Sequence, residues 1–240
     1  MSRLRLPSGY YLVAVVDDGF VSGPVHDKNA YLNVSRLAVD HGLAVMGYPG
    51  ILRRLVPSGS SIARIVNLSG ATTLGNVGTK VVLHSVEEAV RLGADAVSVH
   101  VSLGVPEERK MLRNAARIIE NAHLYGLVAV VAAYTRSLDG TPVLNGAKQA
   151  HAARCAVELG ANIVKVAWPG SQTAMEQVTT AADSAPVLIA GGEPSSDNET
   201  IAILTAALSA GAAGACVGRR LLASPRPGEL VRRILENMGC

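Results

Sequence analysis

The sequence has few aromatic residues and few charged residues. Aromatic side chains make up 3% of the 240 residues, charged side chains make up 17%, and the net charge is +3. So small a charge does not argue for a nucleic-acid or an anionic membrane partner, and no stretch interleaves basic with aromatic residues in the way that stacks bases. We therefore expect no nucleic-acid partner.

Long apolar runs and paired cysteines are also lacking. The apolar run near the start ends at Asp17, and it is too short for a signal peptide or a membrane-spanning helix. Cys155, Cys216 and Cys240 are an odd number of widely spaced cysteines without a CxxC motif, which fits a reduced protein rather than a disulfide scaffold or a zinc site. These features predict a soluble cytoplasmic protein with no metal site and no membrane partner.

Short β-rich runs alternate with helical patterns along the chain. Most of the runs are continuously apolar, as is typical of strands buried on both faces of a parallel sheet. Several helical patterns end on a glycine, which suits the left-handed position after a helix. The predicted strands are residues 11–17, 43–48, 62–69, 95–102, 127–134, 162–168, 186–192 and 214–218, and the predicted helices are residues 29–42, 85–94, 106–126, 146–161 and 198–213.

Eight strands separated by helices predict an α/β fold, the (β/α)₈ or TIM barrel. The alternative is an open doubly wound sheet, which usually has fewer strands and a glycine-rich loop after the first. Here the first strand is followed by "DDGFVSGP" and not by GxGxxG. No linker divides the chain, so we expect one domain over residues 1–240, with residues 1–9 as a tail.

One lysine lies in an unexpected place. Lys165 interrupts the apolar run of "GANIVKVAWPG", where an ammonium group is costly unless it is paired or loses its proton. A neutral amine at this position is suited to attack a ketone and form a Schiff base. The alternative is a structural lysine paired with a carboxylate. The other four lysines lie in polar or loop-like surroundings: Lys28, Lys80, Lys110 and Lys148.

Other polar residues fall at predicted strand ends, which meet at the active-site face of a barrel. Asp17 continues the inward parity of its strand and is a candidate proton shuttle, although Asp17 and Asp18 also suit a simple turn before a glycine. Tyr134 is a candidate acid, base or positioning group, or else an amphipathic plug. Arg136 follows it, and His100 is either a substrate contact or a hydrogen-bonded core residue.

Glycine-rich turns follow the last two predicted strands, in "IAGGEPSS" and "CVGRRL". Such turns expose backbone N–H groups to phosphate, and an arginine adds a charged fork. The alternative is that these glycines serve tight turns alone. The predicted phosphate site comprises Gly191, Gly192, Gly218 and Arg219.

These segments together resemble the class I, DhnA-type branch of the DeoC aldolases. The segments that carry the resemblance include "VVDDGFVSGP", "NLSGATTLG", "ADAVSVHVSLG", "ELGANIVKVAWPGS" and "AGAAGACVGR", in the family's order. Within this branch the chain is most similar to the 2-amino-3,7-dideoxy-D-threo-hept-6-ulosonate synthases, and it also resembles the related archaeal-type fructose-bisphosphate aldolases. The resemblance implies a Schiff base on Lys165, acid–base roles for Asp17 and Tyr134, catalysis without metal or other cofactor, and a homo-oligomer.

The implied reaction joins a phosphorylated keto donor, dihydroxyacetone phosphate or a keto-sugar phosphate, to an aldehyde such as aspartate semialdehyde. The product would feed aromatic amino acid or aminobenzoate biosynthesis. Fructose 1,6-bisphosphate aldolase is the alternative enzyme, a sugar-phosphate-binding barrel without turnover is a second alternative, and an isomerase barrel would leave Lys165 unexplained. The chain departs from the family pattern where Asp18 replaces a histidine and where "YTRS", "WPGS" and "MGYPG" replace the usual loop motifs.

Overall fold

The fold is a closed barrel of eight parallel strands. A computed structural model describes residues 2–24, 29–56, 59–75, 78–192 and 196–240. The predicted (β/α)₈ barrel is confirmed, because all eight predicted strands form and pair around the ring in the order β1-β10-β9-β8-β7-β6-β3-β2. The strands are β1 Tyr11–Val15, β2 Ala44–Gly47, β3 Arg64–Asn67, β4 Ser69–Gly70, β5 Val81–Val82, β6 Ala96–Leu103, β7 Val128–Thr135, β8 Ile163–Ala167, β9 Val187–Ala190 and β10 Gly214–Val217.

Helices cover the outside of the barrel. Ser85, Asn145, Ser171 and Ser196 each accept a hydrogen bond from a backbone N–H in the first turn of the helix that follows, which fixes where those helices begin. The helices are α1 Asp18–Val21, α2 Ala30–Asp40, α3 Pro49–Leu55, α4 Val86–Arg91, α5 Glu108–Leu124, α6 Gly146–Glu158, α7 Gln172–Ala181, α8 Asp197–Ser209, α9 Arg219–Ala223 and α10 Pro227–Asn237. None of the helices in the described ranges is long and apolar enough to cross a membrane.

Alternation along the strands divides the barrel wall into two apolar layers. Tyr11, Val13, Val15 and Ile163 point inward and belong to one cluster that fills the barrel interior. Val164 and the other alternate residues point outward and pack under the helices. This two-residue period means that Lys165 shares the inward face with Ile163.

The prediction that residues 1–9 form a tail is wrong. Ser2–Leu4 form a short 3₁₀-helix, and Leu4 joins the interior cluster with only 3% of its surface exposed. Arg3 forms an ion pair with Asp95 at 2.6 Å, and the Arg5 Nε donates to the Tyr11 hydroxyl at 2.6 Å. The apolar interior of the barrel needs a cover at its amino-terminal end, and this segment supplies it.

A two-stranded arm was not predicted. β4 and β5 come between β3 and β6 along the chain and pair antiparallel in a separate sheet. The chain therefore leaves the barrel after β3, forms this arm and returns to the barrel at β6. Both strands have only two residues, too few for a periodic pattern to appear in the sequence. The arm places residue 80 beside the carboxyl ends of the strands. Lys28 and residues 193–195 lie outside the described residues.

Replacing Leu4 tests whether the amino-terminal segment stabilises the barrel. We expect Leu4→Ala to lower the free energy of unfolding by about 2–3 kcal/mol, because it opens a space in a packed interior. The control is Leu74→Ala, since Leu74 is 99% exposed and such changes shift stability by no more than about 0.5 kcal/mol. Equal effects of the two substitutions in urea denaturation would contradict the covering role.

Candidate active site

One large cavity opens at the carboxyl ends of the strands. Its volume is about 860 Å³, and side chains from the barrel wall and from the loops line it. All of the residues predicted from the sequence as site residues line this one cavity: Lys165, Asp17, Tyr134, Gly191, Gly192, Gly218, Arg219, Arg136 and His100.

Lys165 sits on the inner wall near the middle of β8. It is in register with Ala132 of β7 and with Leu188 of β9, and its Nζ lies 4.0 Å from the Met46 sulfur across the barrel. The side chain is partly buried and has apolar neighbours below it and the cavity above it. The amine is therefore presented to a bound molecule from a rigid strand.

The charge of Lys165 depends on opposing influences. Burial lowers the pKa of its ammonium, but Tyr134, Cys216 and Asp17 in their ionised forms raise it more, so the pKa lies above its ordinary value. The apolar surroundings thus lower this pKa, as expected, but the nearby groups reverse the net direction in the free protein. Because burial also raises the pKa of Tyr134 and of Cys216, both are neutral at neutral pH, which leaves the Asp17 carboxylate to favour the ammonium.

Asp17 follows β1 and faces the cavity. The Nδ2 of Asn67, at the end of β3, donates to its Oδ2 at 2.7 Å. This bond fixes one carboxylate oxygen and leaves the other for a ligand or a proton. Asp18 begins α1 and accepts a hydrogen bond from the Ser22 hydroxyl at 3.1 Å, so the two neighbouring carboxylates have different surroundings.

Tyr134 and His100 form an aromatic pair on β7 and β6. Their ring centroids are 4.8 Å apart, and the His100 Nε2 lies 3.0 Å from the Ser102 hydroxyl. Burial and the nearby cations Lys80, Arg136 and Lys165 lower the pKa of His100 well below its usual value. A neutral imidazole offers hydrogen bonds to a substrate but no charge, and a neutral phenol at Tyr134 is able to donate a proton.

The predicted phosphate turns converge at β9 and β10, but their glycines differ in role. The N–H of Gly191 is already bonded to the Cys216 carbonyl at 2.9 Å, while Gly192 has a φ of 62° and lies at the exposed end of the turn. A Cβ on Gly218 would lie 2.8 Å from the Val15 carbonyl, so the close approach of two backbones requires glycine there. Arg219 adds a cation beside these turns.

A partly buried ion pair holds this side of the cavity together. The Arg220 Nε lies 3.0 Å from the Asp197 Oδ1, and the Ser224 hydroxyl donates to the other carboxylate oxygen at 2.8 Å. The pair joins the start of α8 to α9, the two helices that follow the glycine turns. Arg219 and Arg220 are adjacent in sequence, yet only Arg219 lines the cavity.

The sequence reasoning missed Lys80. It lies in a loop, as expected, but the arm carries this loop to the cavity, where Lys80 is partly buried. Burial lowers its pKa to about 8, and Arg136 and Lys165 act in the same direction. The apolar pair that follows Lys80, "VV", was the one sequence signal, but it is too short to reveal an arm.

Metal ligands are not grouped in the described ranges. Within residues 2–24, 29–56, 59–75, 78–192 and 196–240, no three His, Cys, Asp or Glu side chains are placed to hold a metal ion. The acids and the histidine of the cavity belong to different strands, loops and helices. The chemistry available from these residues is that of an amine, a carboxylate, a phenol and several cations.

A strand-borne amine above a barrel core, with a carboxylate and a phenol beside it, defines a class of carbon–carbon bond enzymes, the class I aldolases. Residues 12–224 match the model of the DeoC/LacD family of aldolases. The chain belongs to this family.

Two characterised relatives are similar over most of the chain. A 2-amino-3,7-dideoxy-D-threo-hept-6-ulosonate synthase from Halobacterium salinarum is 38% identical over 192 residues, which are 80% of this chain and 72% of that protein. A 2-amino-4,5-dihydroxy-6-oxo-7-(phosphonooxy)heptanoate synthase from Streptomyces griseus is 36% identical over 206 residues, 85% of this chain and 75% of that protein.

Solved structures of fructose-1,6-bisphosphate aldolases share the fold closely. A Schiff-base-forming aldolase of this type has a TM-score of 0.90 at 31% identity and covers 98% of this chain and 96% of its own. An archaeal one, with its catalytic lysine covalently bound to the carbinolamine intermediate, has a TM-score of 0.91 at 30% identity with the same coverage. The class I aldolase assignment therefore rests on sequence and on structure.

Replacing Lys80 tests its burial. A lysine with a lowered pKa destabilises the folded state while it is charged; this penalty is complete below about pH 8 and disappears as the pH rises toward 10.5. We therefore expect Lys80→Met to raise the free energy of unfolding by about 1–2 kcal/mol at neutral pH and by less at high pH. Lys148→Met, at an exposed lysine, is the control. A destabilised Lys80→Met protein, or a pH-independent difference, would contradict the burial of a charged amine.

Proposed function

We propose that this aldolase forms an imine between Lys165 and a phosphorylated keto donor, and then joins the donor to an aldehyde. The donor is dihydroxyacetone phosphate or a keto-sugar phosphate, and the acceptor is an aldehyde such as aspartate semialdehyde. The observation that carries the proposal is the position of Lys165, which lines the same cavity as Asp17, Tyr134 and Arg219. The names of the two synthase relatives support the same reaction.

The steps follow from the cavity side chains. The Lys165 amine adds to the donor ketone, and the carbinolamine loses water to give an iminium ion. Loss of a proton from the neighbouring carbon gives an enamine, whose carbon attacks the aldehyde carbon while the aldehyde oxygen takes up a proton. Hydrolysis of the new imine releases the product and restores the amine.

Proton transfer is assigned to Asp17 and Tyr134. Because Lys165 has a raised pKa, its ammonium must lose a proton before it attacks the ketone, and the Asp17 carboxylate is one of the groups that interact with its charge. Asn67 holds the Asp17 carboxylate in place by donating a hydrogen bond of 2.7 Å to its Oδ2. Tyr134 is neutral at neutral pH and is suited to donate a proton to the aldehyde oxygen.

We assign the donor phosphate to the turns after β9 and β10. Arg219 supplies charge, and the exposed turn at Gly192 together with Gly218 allows close approach of the phosphate to the backbone. Gly191 contributes shape rather than a free N–H, since its N–H is bonded to Cys216. Glu199 also lines this side and disfavours an anion, so we expect Arg219 to carry most of the electrostatic attraction.

Fructose 1,6-bisphosphate aldolase is the second candidate activity. The close likeness to the two solved fructose-1,6-bisphosphate aldolases favours it, and it uses the same imine. The two candidates differ in the acceptor, which is a sugar phosphate in one case and an amino-acid aldehyde in the other. A role in aromatic amino acid or aminobenzoate biosynthesis, a cytoplasmic location and assembly into homo-oligomers stay predictions.

Borohydride trapping tests the imine. We expect wild-type protein incubated with dihydroxyacetone phosphate and borohydride to gain the mass of the reduced adduct on Lys165, and Lys165→Met to gain none and to lose turnover. Lys80→Met is a matched control, because it removes another lysine of the same cavity and should keep the adduct. An adduct on Lys80, or turnover by Lys165→Met, would refute the mechanism, whereas phosphate binding without any adduct would indicate a non-catalytic barrel.

Asp17→Asn separates proton transfer from imine formation. The substituted amide keeps an oxygen for Asn67 but no longer accepts a proton. We expect turnover to fall by about 10²–10⁴-fold, with the borohydride adduct still formed in long incubations and the thermal midpoint little changed. Near-normal turnover would exclude Asp17 as the proton shuttle.

A further inference from the structure

Gln149 is a buried amide without a partner. It is 1% exposed and lines the cavity, yet neither its Oε1 nor its Nε2 has a hydrogen bond within the described parts of the chain. Buried amides nearly always form hydrogen bonds within the protein, because burial removes their hydrogen bonds to water and an unpaired amide gains none in exchange. A side chain in this state is ready to bind a polar group that enters the cavity.

The helical pattern makes Gln149 more unusual. Gln149 lies one turn into α6, and its inward-facing neighbours on that helix are the small apolar residues Ala152, Ala153 and Ala156. The Asn145 cap sets the helix phase and so directs residue 149 toward the barrel. An apolar residue would complete this face, so the amide at this position is not explained by the packing of the fold.

Two cations lie on the same side of the rim. Lys80 lines the cavity from the arm after β3, and its amine has no hydrogen bond to any described residue. Arg136 follows β7 and donates through Nη1 to the Gly140 carbonyl at 2.6 Å, while its buried Nε has no described partner. Lys80, Arg136 and Gln149 thus present unused hydrogen-bond donors, and two of these side chains are cationic. Asp139 is the one acidic residue in the sequence between Arg136 and Gln149.

Around the ring, these three residues lie on the other side of Lys165 from the phosphate turns. Around the ring, β9 and β10 carry the phosphate turns, β8 carries Lys165, and β7, β6 and β3 follow. Gln149 and Arg136 belong to the segment between β7 and β8, and Lys80 enters between β3 and β6. A donor bonded to Lys165 and held at Arg219 would leave the Gln149 side of the cavity open to the second substrate.

We propose that Gln149 is a specificity-determining residue for the acceptor, and that with Arg136 and Lys80 it binds the anionic tail of the aldehyde. This inference rests on the proposed function and adds the group that selects the second substrate. The amide donates through Nε2 to a carboxylate or phosphate oxygen, and the two cations neutralise its charge. The aldehyde carbon then lies toward Lys165.

Gln149→Met tests the proposal, because methionine has a similar shape and no amide. Four aldehydes serve as acceptors with dihydroxyacetone phosphate as donor: aspartate semialdehyde, succinate semialdehyde, which lacks only the amine, D-glyceraldehyde 3-phosphate, and butanal, which has no charge. We expect kcat/KM to fall by roughly 10- to 100-fold for the preferred anionic aldehyde, as for a lost hydrogen bond to a charged group. For butanal we expect a much smaller change.

Thermal stability gives an independent readout. Since the amide is unpaired in the free protein, its removal should leave the melting temperature unchanged or raise it, whereas a structural amide would give a lower melting temperature. Gln177→Met, on the neighbouring helix α7 and exposed, is the control that should alter neither quantity. A lower melting temperature with unchanged kcat/KM, or equal losses for butanal and the anionic aldehydes, would overturn the proposal.

Borohydride trapping with the donor alone distinguishes the acceptor role of Gln149 from imine formation at Lys165. We expect the Gln149→Met protein to form the Lys165 adduct at the wild-type concentration of dihydroxyacetone phosphate. A weaker donor response in this variant would place Gln149 at the donor and overturn its role in acceptor binding. Failure of wild-type protein to form the adduct would remove the proposed function itself, and this inference with it.

Discussion

The chemistry of this barrel depends on a primary amine set into an apolar wall. Lys165 stands between the packed interior beneath it and a polar cavity above it, so its charge responds to a small number of neighbours. Burial favours the neutral amine and the Asp17 carboxylate favours the ammonium, while the phenol and the thiol nearby remain neutral at neutral pH because burial raises the pKa of each. Because only the neutral amine attacks a ketone, a proton acceptor such as Asp17 is part of the proposed mechanism.

The barrel topology gives the cavity two unlike sides. Backbone glycines and Arg219 occupy the side at β9 and β10, and the Asp197–Arg220 pair fixes the helices behind them. Lys80, Arg136 and Gln149 lie on the other side of Lys165, where the short arm, a loop and α6 supply them. Lys165 lies between the two, which is the position that the proposed joining of two anionic substrates requires.

The sequence was sufficient for the barrel because most of its strands are continuous apolar runs, and five of the ten described α-helices appear as periodic segments between them. The same two-residue period placed Asp17, Tyr134 and Lys165 on the inner face. Lys80 escaped notice because it reaches the cavity through a two-residue strand pair, and the burial of the amino-terminal segment depends on a barrel opening that exists only after folding. The net direction of the Lys165 pKa could not be read from the apolar run alone, because it depends on side chains from three other strands or loops.

Gln149 escaped notice for a different reason. A glutamine in a helix rich in alanine is unremarkable in a sequence, and its importance appears only once both amide atoms are found buried without a partner. Unsatisfied polar groups are invisible to periodicity, because they depend on which elements pack together. The residues that set substrate choice are therefore harder to predict than those that set the fold.

The central claim is that Lys165 holds the donor with its phosphate at Arg219 and its reacting carbon toward Gln149. The most direct measurement is a crystal structure of the protein after reduction with borohydride in the presence of dihydroxyacetone phosphate. The account predicts density continuous with the Lys165 Nζ and a phosphate beside Gly192, Gly218 and Arg219. Density on another lysine, or a phosphate seated against Lys80 and Arg136, would contradict it.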